Sequence, residues 1–131
     1  MTEKTNSSSQ DAYAIRELLR SLRLHYVRLE SEVVKAVRDL LDEHGIIYEK
    51  EVVIAPRCRV DLLAGDGVAI EVKKGKPNSK TVAKQVARYA AGGKVKAVIL
   101  VSERGLFHHI TEAHGKPVLY IALSRNWGVT V

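Results

Sequence analysis

At 131 residues the chain has the length of one domain, able to bury a core without disulfides or a structural metal. Its one cysteine, Cys58, excludes an internal disulfide framework and a multi-cysteine zinc site; no apolar run is long enough for a membrane span, and residues 1–10 are too polar for a signal peptide, so a soluble, cytoplasmic protein is expected. A net charge of +6 favours polyanions such as nucleic acid as partners, because clustered Lys and Arg displace condensed counterions.

Residues 1–10 are Ser- and Thr-rich without apolar periodicity and are expected to form a flexible tail, with Ser9 or Asp11 capping the helix that follows. Residues 12–44 contain neither Pro nor Gly. Apolar side chains recur there at Ile15, Leu19, Leu22, Tyr26, Leu29, Val33, Ala36 and Leu40, a helical seam compatible with one long helix or two abutting ones. Gly45 is the stop signal. Residues 46–54 are β-branched and end before Pro56, predicting a strand with Glu49 and Glu51 facing outward. Strands over 60–64 and 68–73 flank Gly65-Asp66-Gly67, a hairpin signal. Ser79 or Thr81 then caps a helix through Ala91, ended by Gly92-Gly93. Residues 94–102 form an apolar run typical of a strand covered on both faces; a short helix over 107–114 and a core strand over 118–123 complete the chain. The expected class is α/β, a single domain over 11–131. A helical extension occupies about 11–28, the core about 29–102, and an added helix and strand 103–131.

In the third strand Ile70 and Val72 share one face, Glu71 and Lys73 the other. If the hairpin is centred on Asp66, Asp61 lies across from Glu71, and Leu62 across from Ile70 on the buried side. Two carboxylates and an ammonium then converge. Paired carboxylates repel unless a cation lies between them, and hard oxygen ligands suit Mg²⁺ or Mn²⁺. A lysine beside such an ion can orient water, which is the equipment for phosphodiester hydrolysis.

Asp61 on one strand followed by Glu71-Val72-Lys73 on the next resembles the PD-(D/E)xK nuclease superfamily, which includes restriction endonucleases, archaeal Holliday junction resolvases and RecB-type nuclease domains. Val60 stands where that family often has proline. The resemblance implies a restriction endonuclease-like α-β-β-β-α-β core and Mg²⁺-dependent cleavage of DNA, duplex or branched, leaving a 5′-phosphate. It implies that Asp61, Glu71 and the Val72 carbonyl hold the metal, that Lys73 steers the attacking water, and that an acid of the first core helix assists. Glu30 is preferred to Glu32 for that acid because it is in phase with Val33 and Val37. Gln85-Val86-Ala87-Arg88-Tyr89 is similar to the Gln-x-x-x-Tyr motif of RecB-type nucleases, implying that Gln85 completes the site and Tyr89 meets the nucleic acid. Lys80, Lys84 and Arg88 form a basic stripe on the same helix, and Lys74, Lys76, Arg57 and Arg59 are further expected phosphate contacts. Small size suggests a homodimer.

His108, His109 and His114 match no zinc spacing; Gly65-x-Gly67 joins two strands and is not a phosphate loop; Trp127 is expected to cap the core. Two alternatives stand beside the nuclease. One is an inactive nucleic-acid-binding module of the same fold, the other an interaction protein dimerised through the N-terminal seam.

Overall fold

A β-branched strand, a glycine-centred hairpin and a fully apolar run assemble into one six-stranded mixed sheet, ordered β1-β2-β3-β4-β6-β5, in a computed structural model that describes residues 3–22, 29–73, 78–102 and 110–123. The elements are α1 (Glu3–Leu19), α2 (Glu30–Glu43), β1 (Tyr48–Ala55), β2 (Cys58–Ala64), β3 (Val68–Lys73), α3 (Ser79–Ala91), β4 (Ala97–Ser102), β5 (Glu112–Ala113) and β6 (Lys116–Ala122). β1, β2 and β3 run antiparallel in sequence, whereas β3–β4 and β4–β6 are parallel, which requires the α3 crossover.

Helices cover both faces. On one, Ile15 and Leu19 of α1 and Val33, Val37 and Leu41 of α2 pack with Leu62, Ile70, Val72 and Ile99. On the other, Val82, Val86 and Tyr89 of α3 pack with Val60, Ala69, Val98 and Leu100. Every residue of β4 is therefore buried, as its continuous apolar run predicts.

Several expectations are corrected. Helix α1 begins at Glu3, inside the stretch read as a tail, so neither Ser9 nor Asp11 starts it. Those residues include no Pro or Gly, and Ser, Thr and Asn each cost only about 0.5 kcal/mol in a helix. The seam is interrupted, because α1 ends at Leu19 and α2 starts at Glu30. Within α2 the buried phase is Val33, Val37, Leu41, with Ala36 and Leu40 at its margin and Leu29 exposed. Ile15 and Leu19 pack into the domain's own core.

The α3 cap is Asn78, whose Oδ1 accepts from the N–H groups of Lys80 (2.8 Å) and Thr81 (3.1 Å). The helix expected over 107–114 does not reach its end, since Glu112 and Ala113 form β5, paired with Pro117 and Lys116. His114 and Gly115, both at positive φ (50° and 76°), make the two-residue turn that such a pairing favours. Residues 103–109, with His108 and His109, and Trp127 lie outside the described residues.

Candidate active site

The β2–β3 pairing is Ala64↔Val68, Leu63↔Ala69 and Leu62↔Ile70, so the next step sets Asp61 across from Glu71, as the sequence predicts. There the two strands are joined by carboxylates. Val72 N–H donates to Asp61 Oδ2 at 2.8 Å, and Asp61 N–H donates to Glu71 Oε1 at 3.1 Å. Each carboxylate thereby has one oxygen fixed by a charge-assisted bond from backbone. The other oxygen of Glu71, Oε2, lies 3.2 Å from Lys73 Nζ.

A kink in two strands creates this arrangement. Residues two apart on a regular strand share a face, yet Val60 packs on the α3 side and Leu62 on the α1–α2 side. The neighbouring strand changes face at the same level, Tyr48 packing with one cluster and Val52 with the other. Between them Glu51 has φ 49°, a left-handed conformation uncommon for a non-glycine residue. Glu51 is flanked by the pairs Lys50↔Leu62 and Val52↔Val60, which sets it across from Asp61. It is exposed, as expected, but stands at the site and was missed as a member of it; counting pairs back from the Pro56-Arg57 turn would have set Val52 across from Asp61, because the register shifts by one residue between Val53 and Ala55.

Burial sets the electrostatics. Glu71 is 7% exposed. Its carboxyl is pushed above the ordinary value first by desolvation and then by Asp61, with Lys73 and the Asp61 N–H opposing. Asp61 is likewise raised, chiefly by desolvation; the Val72 N–H and Lys73 oppose this, while Glu30 and Glu51 add repulsion. The pair therefore favours sharing a proton or gaining a positive partner. Glu30 acts on Asp61 through space from the first turn of α2, whereas Glu32 turns back to accept from Leu29 N–H at 2.9 Å. This division agrees with the preference for Glu30.

Tyr89 corrects an expectation. It is 2% exposed, and its hydroxyl lies within hydrogen-bonding reach of Glu71 and 3.4 Å from the Arg59 carbonyl oxygen. Buried by the α3 face that packs on the sheet, it cannot stack on nucleic acid; it supports Glu71. Burial, with Glu71 next, raises the phenol strongly. Gln85 is half-buried one turn earlier, and the hydrogen bonds given to the two carboxylates among the described residues come from Asp61, Val72 and Lys73 rather than from it.

The expected phosphate contacts divide. Lys80, Lys84 and Arg57 are exposed. Arg88 donates to the carbonyl oxygens of Pro56 (3.0 Å) and Arg57 (3.4 Å), tying α3 to the β1–β2 turn, and Arg59 pairs with Glu51 at 3.4 Å. Lys74 and Lys76 lie outside the described residues.

Among the described residues no group of three or more His, Cys, Asp or Glu is gathered closely enough to hold a metal ion. Two opposed carboxylates still suit Mg²⁺, which is commonly held by one or two of them while keeping several waters. In an extended strand N–H and C=O of one residue point to the same edge, so the Val72 carbonyl faces the edge from which its N–H reaches Asp61. No helix of the described residues is long and apolar enough to cross a membrane. Comparison of the chain with family models, with curated proteins and with solved structures gave no significant match.

Proposed function

We propose that the protein is a Mg²⁺- or Mn²⁺-dependent nuclease of the PD-(D/E)xK type, with a restriction endonuclease-like core spanning α2 to β4. The observation that carries this is that β2 and β3 are joined by two carboxylates, Glu71 accepting from Asp61 N–H and Asp61 from Val72 N–H, with the Lys73 ammonium on Glu71. An ordinary solvated sheet face has no reason to bury the Glu71 carboxylate beside the half-buried Asp61.

Asp61, Glu71 and the Val72 carbonyl would hold the cation, with Glu30 on the α2 side. A bound divalent ion supplies stabilisation of charge on the phosphate and acidifies a water. Lys73 pairs with the carboxylate of Glu71, two residues before it on β3, so opening of that pair frees an ammonium to orient water or meet a phosphate oxygen. Tyr89 stands beside Glu71. The net charge of +6 supports DNA as the substrate.

The test is a cleavage assay with Mg²⁺ or Mn²⁺ across a plasmid, a linear duplex, a single strand and a four-way junction, with Asp61→Ala alongside. Cleavage of at least one substrate is expected, abolished by EDTA and reduced at least about a hundredfold in the variant. DNA binding that is indifferent to metal, with every substrate intact, would instead identify an inactive binding module.

A further inference from the structure

On the side of Asp61 away from α3, a cleft of 460 Å³ opens between α2 and β1, lined by Ser31, Val34, Arg38, Lys50, Glu51 and Asp61. It continues into a hollow of 790 Å³ that shares Arg38 and Lys50 and runs on to Tyr48 and Ile47. Both compartments have the size of small-ligand sites, and the same two cations stand at their junction.

We propose that this cleft is the path of a single nucleic-acid strand and that Arg38 and Lys50 hold the phosphate next to the one at Asp61. The proposal rests on the phosphodiesterase reading of Asp61 and Glu71. Arg38 stands in the cleft beside Tyr48, whose hydroxyl donates to Asp42 Oδ2 at 3.1 Å, and the Arg38 Nε is enclosed without a protein partner. Lys50 is exposed and makes no ion pair among the described residues. Of the acidic neighbours, Asp42 is engaged by Tyr48, Asp39 by Lys35 at 2.9 Å and Glu51 by Arg59, while Glu49 lines the outer hollow. Lys50 precedes Glu51, where β1 changes face, and it lies on the Tyr48 side toward α2. The arrangement offers a half-buried planar donor and an exposed ammonium beside the proposed reaction centre, and a groove leading away from it, which suits a chain of phosphates better than a lone anion.

The experiment measures binding of a fluorescein-labelled single-stranded oligonucleotide in EDTA over a range of salt, and its cleavage with Mg²⁺, for wild type, Lys50→Gln, Arg38→Gln and, as control, the exposed Lys94→Gln beside the β2–β3 hairpin. Lys50→Gln and Arg38→Gln are each expected to weaken binding on the order of tenfold and to lower the salt slope by about 1, with Lys94→Gln affected less. Lys50 is exposed, so its variant stays folded even if the Arg38 variant does not. Wild-type cleavage with unchanged binding by Lys50→Gln would overturn the cleft path and leave the nuclease standing. Wild-type binding with no cleavage, lost in Lys50→Gln, would sustain the path and remove the nuclease; no binding by the wild type would remove both.

Discussion

Glu71 is held by two donors of different origin, the Asp61 backbone and the Lys73 ammonium, and the Tyr89 hydroxyl, which donates to the Arg59 carbonyl oxygen at 3.4 Å, lies beside it. Tyr89→Phe keeps the ring in its α3 seat and removes only the hydroxyl. Its expected effect is a roughly tenfold fall in cleavage rate with a stability loss of about 1 kcal/mol, read by initial rates and urea melts. The raised carboxyls of Asp61 and Glu71 also fix the pH dependence. Between the ordinary carboxylate range near about 4 and the higher folded value, the native state binds more protons than the unfolded chain. Stability in EDTA therefore declines as pH rises through that window, and divalent metal restores it near neutrality. Thermal melts should show Asp61→Asn with a flatter pH profile than wild type and equal or greater metal-free stability at neutral pH.

Helix α1 is structural by its packing, since Ile15 and Leu19 are enclosed with β-sheet side chains. Leu19→Ala should cost about 2–5 kcal/mol in denaturant melts, and removal of the helix should unfold the domain rather than release an intact core. At the hairpin, Gly67 has φ 96°, and a Cβ there would lie 2.8 Å from the Lys94 carbonyl oxygen. Gly67→Ala should destabilise by at least about 1 kcal/mol, since both conformation and space oppose it. Much of this level was legible beforehand: a short glycine loop and the apolar alternation of β2 and β3 allow one register, which is why Asp61 could be set opposite Glu71. The kink at Glu51 and Asp61 was not, because neither is a glycine and the face change answers to helices packed on opposite sides. The burial of Tyr89 was hidden for a related reason, as Val82, Val86, Tyr89 and Ala90 form one face whether the aromatic points to core or to solvent. The seam from Ile15 to Leu40 allowed one helix or two, and its regularity gave no sign of where the break before Glu30 falls.

At the scale of the molecule, three layers leave the β1–β2–β3 end of the sheet to carry the acidic pair, with α2 on one side and α3 on the other. Lys80 and Lys84 lie exposed on one flank, Arg38 and Lys50 on the other, so a polyanion can approach carboxylates that would alone repel it. The central claim is that Asp61 and Glu71 hold a divalent cation, and Mn²⁺ titration followed by the electron paramagnetic resonance of the free ion tests it most directly. Wild type should withdraw free Mn²⁺ in competition with Mg²⁺, and Asp61→Asn should leave the free-ion signal undiminished. Equal withdrawal by both proteins, or none by the wild type, would contradict the assignment.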